Sequence, residues 1–122
     1  MNKSKGQLQS EITEAMIKFE KEFMGRGPLE AKTYIIDDMI IVRLQGVLTQ
    51  AEHQLAKSTD NNKGRELIKQ IRVELLEKGR PLLEAVIQSI IGCEVKSLHS
   101  DLSTMTGERI IIFTLDGQPF EL

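Results

Sequence analysis

The spacing of apolar residues changes three times along this chain, and these changes limit the folds that its 122 residues can adopt. The first segment has helical spacing, with apolar side chains at Leu8, Ile12, Met16, Phe19 and Phe23. Residues 33–44 instead have the β-branched enrichment and shorter period of strands. Helical spacing returns over about residues 64–91, and strand-like segments follow at 95–101 and 109–115. The order predicts helix, hairpin, helix or helices, hairpin.

Two capping boxes mark the starts of helices, at Ser4 with Gln7 and at Thr49 with Glu52. In a capping box the hydroxyl and a side-chain acceptor three residues later satisfy free N–H groups at the helix start. Gly25 should end the first helix. The helix after Thr49 should be short, reaching about Lys57, because residues 58–63 have loop composition.

The long helical segment contains two residues that disfavour a continuous helix, Gly79 and Pro81. Proline lacks a backbone donor and clashes with the carbonyl four residues earlier. We therefore expect either a kink near Lys78 or two abutting helices.

Residues 110–113 form the most strand-like run and are apolar on both faces, which predicts a central or interface strand. Asp37 and Asp38 lie between two strand-like runs and are expected to form the hairpin turn. The sequence thus predicts a single α+β domain over residues 1–122. Its four-stranded antiparallel sheet should be covered by helices on one face.

The composition is balanced, with 16 basic and 18 acidic residues and a net charge of −2. This balance provides no long-range attraction to nucleic acid, and four Phe, one Tyr and no Trp offer few stacking platforms. We expect no nucleic-acid partner. No apolar run reaches the ~18–20 residues that a membrane span needs, and the polar N-terminus lacks a signal-peptide core. The single cysteine, Cys93, is consistent with a reducing cytoplasm and with a role as a core residue.

No motif assigns a catalytic residue, a metal or a cofactor. His53 and His99 are far apart and lack zinc-ligand spacing. His99 and Asp101 are expected to share a strand face, but no nucleophile elbow accompanies them. An enzyme that uses these two residues is the last of three functional hypotheses.

The loop Gly25-Arg26-Gly27-Pro28 has more glycine than a helix end needs. Two interpretations are open: a rigid turn with a solvated arginine, or a loop that presents Arg26 and backbone N–H groups to an anion. The loop is not a phosphate-binding loop of the Walker type, since the lysine-hydroxyl ending is missing. Arg72 and Arg80 lie eight residues apart, within about 80° around the helix axis. Two alternatives follow for Arg72 and Arg80: ion pairs along the helix surface, or an anion shared with Arg26.

Several segments resemble the MpsC-like family over about residues 7–115. They are Phe-Met-Gly-Arg-Gly-Pro (23–28), the hairpin with Asp37-Asp38, Gly-Val-Leu-Thr-Gln-Ala-Glu (46–52), Arg72, and Glu-Arg-Ile-Ile-Ile-Phe-Thr-Leu (108–115). The resemblance implies a soluble component of a bacterial sodium-translocating, membrane-potential-generating system. The partners it implies are a membrane subunit similar to a respiratory-complex subunit and a large subunit linked to inorganic-carbon uptake. It carries over no catalytic residues, and Pro28, Thr49 and Glu52 are motif matches only.

The leading hypothesis is therefore a non-catalytic accessory or binding module, cytoplasmic and homodimeric, that works beside a bacterial membrane system. The alternative is a regulator that binds a small anion or a nucleotide. Its ligand-binding residues would be Gly25, Arg26, Gly27, Arg72 and Arg80.

Overall fold

The computed structural model describes residues 3–57 and 63–119, which contain three helices and four strands. In chain order these are α1 (Lys5–Met24), β1 (Glu30–Ile36), β2 (Met39–Gln45), α2 (Gln50–Ala56), α3 (Lys63–Ile91), β3 (Val95–Leu102) and β4 (Arg109–Leu115). The predicted order of elements is confirmed. The loop expected at residues 58–63 lies outside the described residues, except for Lys63, which opens α3.

Both predicted capping boxes are present. Ser4 Oγ accepts a hydrogen bond from Gln7 N at 3.1 Å, and Ser4 N donates to Gln7 Oε1 at 2.8 Å. Gly25 ends α1 in the left-handed conformation (φ 87°), which glycine adopts without steric cost. The first helix therefore begins and ends where its sequence predicts.

The four strands form one antiparallel sheet in the order β1-β2-β4-β3, so the second strand of each hairpin lies at the centre. Asp37 and Asp38 make the first hairpin turn, and Asp37 has a positive φ of 53°. The predicted α+β class and the central position of residues 110–113 are both confirmed.

One face of the sheet is buried against the helices. Its inward residues include Ile40, Val42, Leu44, Ile111, Phe113 and Leu115. α1 packs on β1 and on α3, and α3 also contacts β3. The opposite face, which we call the open sheet face, has half-buried or exposed side chains at every described position.

α3 is one helix through Pro81, so the expectation of two abutting helices is wrong. Leu76, Gly79 and Leu83 are buried on the same side of α3, before and after the proline. A Cβ atom at Gly79 would lie 2.6 Å from two ring carbons of Phe19, so α1 and α3 approach closely here. We infer that packing along this face outweighs the local cost of Pro81, which is about 3 kcal/mol in a helix interior.

Candidate functional site

Among residues 3–57 and 63–119, three charged side chains lie in the core, where apolar residues are the rule. Glu20 of α1 is 0% exposed, Arg72 of α3 is 3% exposed and Arg109 of β4 is 2% exposed. With Glu52 of α2 they form what we call the buried charge cluster. Buried charges are costly unless they are paired, so each of these groups requires a partner.

Glu52 and Arg72 make the closest pair of the cluster. Arg72 Nη2 donates to Glu52 Oε1 at 2.6 Å, and Arg72 Nε donates to Glu52 Oε2 at 3.0 Å. Glu52 Oε1 also accepts from Thr49 N at 2.9 Å, which completes the second predicted capping box. Burial alone would raise the pKa of Glu52, but the hydrogen bonds and charge of Arg72 and the bonds from Thr49 leave it below its usual value. Thr49 and Glu52 thus cap α2 and, through Arg72, fasten it to α3.

Glu20 lies between two arginines without touching either at hydrogen-bond distance. Its carboxylate oxygens are 3.9 Å from Arg72 Nη1 and 3.6 Å from Arg109 Nη1. Within the described residues, both oxygens and both Nη1 atoms lack a hydrogen-bond partner. Burial raises the pKa of Glu20, and the charges of Arg109 and Arg72 only partly oppose that effect.

Arg109 joins the central strand to the cluster. Its Nε donates to Ser100 Oγ at 3.1 Å on β3, and its Nη2 donates to the Arg72 carbonyl at 3.5 Å. Burial lowers the pKa of Arg109, while the charge of Glu20 acts in the opposite direction. The cluster therefore ties together all three helices and the sheet.

A cavity of about 380 Å³ lies between α3 and β3, beside this cluster. Arg72, Arg109 and Ser100 line it together with apolar residues of both elements. At its edge, Lys69 Nζ and Asp101 Oδ1 form an ion pair at 3.4 Å. Both arginines lining the cavity donate to other groups of the chain through Nε and Nη2, while their Nη1 atoms have no hydrogen-bond partner among the described residues.

Arg26 binds backbone carbonyls in the structure. Its Nη2 donates to Gly46 O at 3.3 Å and its Nη1 to Leu48 O at 3.2 Å. Arg72 Nη2 donates to the carbonyl between them, Val47 O, at 2.9 Å. Three consecutive carbonyls at residues 46–48 thus accept hydrogen bonds from two arginines that are far apart in sequence.

The glycines beside Arg26 shape the same loop. Gly25 provides the left-handed helix end, and Gly27 lies against Lys21, whose side-chain carbons would be 3.1 and 3.2 Å from a Cβ atom there. Pro28 follows without helical or strand structure. Anion binding by this loop stays a prediction, and an anion there would compete with the carbonyl bonds of Arg26.

The structure brings Arg26 and Arg72 to the same loop, whereas Arg80 has different partners. Arg80 pairs along α3 with Glu77 at 3.6 Å and with Glu84 at 3.2 Å. Arg72 and Arg80 are thus both in ion pairs, but with separate sets of carboxylates.

The remaining candidates for chemistry are dispersed. His53 lies on α2, with its ring close to Gly107, whereas His99 is an exposed residue of the edge strand β3 and, with Asp101, is among the residues around the cavity between α3 and β3. Asp101 shares a strand face with His99 and pairs with Lys69 instead. In the described residues, no group of three or more His, Cys, Asp or Glu side chains has a metal-binding arrangement. Cys93 is partly buried, and burial followed by the charge of Asp116 raises the pKa of its thiol, which disfavours the reactive thiolate.

Sequence reasoning missed Glu20 and Arg109, although each had a signal. Glu20 follows Met16 by four residues, so it lies beside the apolar stripe of α1. Arg109 has the same parity as Ile111 and Phe113, which face the core in β4. A charged residue on the inward face of a predicted element indicates a buried ion pair.

None of the described helices has the length and apolar character that crossing a membrane requires.

Comparison with known proteins gives a family and two relatives. The sequence profile of the family described as "Na+-translocating membrane potential-generating system (MpsC)" matches residues 4–117. The uncharacterized protein YbcI of Bacillus subtilis (strain 168) is 47% identical over 115 residues, covering 94% of this chain and 90% of the relative. The uncharacterized protein YrhF of the same organism is 24% identical over 108 residues, covering 87% and 85%. No solved structure matches the chain.

Proposed function

This chain belongs to the MpsC family, and on that premise we propose that it is a non-catalytic accessory module of a bacterial membrane-potential-generating system. It works from the cytoplasmic side as a homodimer. Its task is to assemble with other proteins.

The open sheet face is the observation that carries this proposal. Its apolar residues come from three adjacent strands and are Tyr34, Ile36, Met39, Ile41, Ile110 and Ile112. Ile36 is 46% exposed and Tyr34 is 37% exposed. Contiguous apolar surface of this kind is typical of interaction sites on soluble proteins. A sheet covered on one side only therefore supports a function in assembly.

The placement of the charged residues supports the same function. Arg26 and Arg72 bind carbonyls of residues 46–48, and Glu52 is held by Arg72 and by the N-terminus of α2. These bonds stabilise the scaffold that carries the open sheet face.

Membrane vesicles provide a direct test. We would prepare inverted vesicles from cells that carry the membrane-potential system and from cells lacking its membrane subunits, and measure sedimentation of the purified chain with each. The chain should sediment with the first preparation and stay in the supernatant with the second. Equal binding to both preparations, or to neither, would contradict the proposed association.

A further inference from the structure

The register of the sheet arranges the open face in rows that cross all four strands. The first row contains Lys32, Arg43, Ile110 and Asp101. The second contains Tyr34, Ile41, Ile112 and His99, and the third contains Ile36, Met39, Thr114 and Ser97. Within a row the order always runs β1, β2, β4, β3.

Charge is distributed unevenly along the first row. Lys32 gives the β1 edge a cation and Asp101 gives the β3 edge an anion, while Arg43 on β2 is already paired with Glu108 at 2.7 Å. Among the described residues no carboxylate pairs with Lys32, whose Nζ lies 5.4 Å from the centre of the Tyr34 ring. The Asp101 side chain is 86% exposed and has one cation near it, Lys69 at 3.4 Å. The two ends of the row thus carry opposite charges, and Asp101 remains accessible to solvent beside Lys69.

We propose that the open sheet face is covered by the same face of a second copy, related by a twofold axis parallel to the strands. Under such an axis each row faces the same row of the second copy, with its β1 end opposite the β3 end. Lys32 then faces Asp101 of the second copy, and Ile41 faces its Ile112. Each contact occurs twice, as a twofold interface requires. The inference rests on the homodimer proposed above and is independent of the membrane association.

The other twofold axis in the plane of the interface fits poorly. An axis perpendicular to the strands exchanges the first row with the third. Lys32 would then face Ile36 of the second copy and Arg43 would face its Met39. Placing the unpaired cation of Lys32 against the apolar side chain of Ile36 costs free energy. Arg43 does not distinguish the two axes, because it pairs with Glu108 at 2.7 Å and faces an apolar residue of the second copy under either axis. The charge of Lys32 therefore favours the axis parallel to the strands, since both axes keep the strands of the two sheets aligned, as stacked sheets prefer.

The area of the face predicts a weak dimer. Four strands spaced ~4.8 Å apart, each about seven residues long at ~3.4 Å per residue, give a face of roughly 450 Å² per copy. Two copies bury about 900 Å², just below the ~1,000 Å² expected of a specific stable interface. The dimer should therefore dissociate on dilution into the micromolar range.

Charge reversal tests the arrangement, with sedimentation velocity over a concentration series as the measurement. Lys32→Asp and Asp101→Lys each replace two attractive contacts by two repulsive ones, and each should weaken the dimer about tenfold at low salt. Combining both substitutions in one chain restores opposite charges and should return the dissociation constant to near the wild-type value. Lys78→Asp, at an exposed position on α3, is the matched control and should leave dimerisation unchanged.

A second pair of variants tests the apolar part of the face. Ile36→Glu places a charge in the third row of the open sheet face. The control, Leu82→Glu, places a charge on α3 at a residue that is 51% exposed, against 46% for Ile36. Only Ile36→Glu should abolish the dimer, and the circular dichroism spectra of all variants should match that of the wild type.

Three outcomes would overturn the inference. They are a wild-type chain that is still monomeric at about 100 μM, the concentration at which a weak specific dimer should form, single charge reversals without effect on dimerisation, and a double reversal that does not restore the dimer. If the chain is a monomer but still binds vesicles carrying the membrane system, the open face belongs to another protein. In that case the dimer fails and the membrane association stands.

Discussion

Replacing Arg72 by methionine removes the residue that makes the most contacts in the buried charge cluster. Methionine has an unbranched side chain that fills much of the same space, so the main change is the loss of charge and donors. The variant loses two hydrogen bonds to Glu52 and one to Val47 O, and Glu20 loses one of its two neighbouring cations.

The expected cost follows from burial. Removing one partner of a buried ion pair typically costs 3–5 kcal/mol, because the other charge is left uncompensated. The Glu52 side chain is 22% exposed, so water can solvate its carboxylate and offset part of the free energy lost with Arg72. Glu20 is fully buried, so water cannot solvate its carboxylate, although Arg109 remains beside it. We therefore expect Arg72→Met to lower the free energy of unfolding by about 3 kcal/mol.

Arg80→Met is the matched control on the same helix. Arg80 also pairs with two carboxylates, but its side chain is 33% exposed and its pairs lie along the helix surface. Surface pairs of this kind contribute about 0–1 kcal/mol. Urea unfolding followed by far-ultraviolet circular dichroism measures both variants, and a change in midpoint at constant slope reports stability.

A loss of less than 1 kcal/mol for Arg72→Met, or equal losses for the two variants, would refute the importance of the cluster. If Arg72→Met does not fold, Glu52→Gln provides the milder test. It keeps an acceptor for Thr49 N but ends the ionic pairing with Arg72, and should cost about 1–3 kcal/mol.

Three further predictions concern other contacts. Gly79→Ala should destabilise the chain by about 1–2 kcal/mol in urea unfolding, since the clash with the Phe19 ring exceeds the gain in helix propensity; a stabilised variant would contradict the packing. The pKa of Glu20 is raised on folding, so the wild type loses stability as pH rises above about 4.5 and the buried carboxyl ionises. Glutamine does not titrate, so the free energy of unfolding of Glu20→Gln should increase relative to that of the wild type over this range. A difference between the two proteins that is independent of pH between about 4 and 8 would exclude this effect. Arg26→Ala should lower the melting temperature by several degrees through loss of its carbonyl bonds, with Lys78→Ala at an exposed position on α3 as the control; equal melting temperatures would indicate a solvated arginine.

Local signals in the sequence predicted much of the fold. Ser4 with Gln7 and Thr49 with Glu52 are capping boxes because the two members lie three residues apart, a spacing that needs no tertiary information. The limits of β4 follow in the same way from its apolar run, whose flanks at Glu108 and Asp116 are charged.

Partners distant in sequence were not predictable. Arg26 bonds to carbonyls 20 and 22 residues away, and backbone carbonyls leave no side-chain pattern to read. The bond between Glu52 and Arg72 depends on how α2 lies against α3, which periodicity does not determine. For Pro81 the local rule allowed two abutting helices, which is wrong, because the buried residues on both sides of it belong to one continuous face.

The buried charge cluster and the open sheet face are linked through β4. Arg109 points into the cluster and Ile110, the next residue, points to the open face. A slip of one residue in the pairing of β4 would exchange the two faces, placing Arg109 outside and Ile110 against Glu20. An apolar strand such as residues 110–113 does not by itself distinguish these registers, since isoleucine is acceptable on either side. The carboxylate of Glu20 distinguishes them, because only one register gives it the cation of Arg109. The charges inside the core therefore determine which row of side chains the sheet presents outside it.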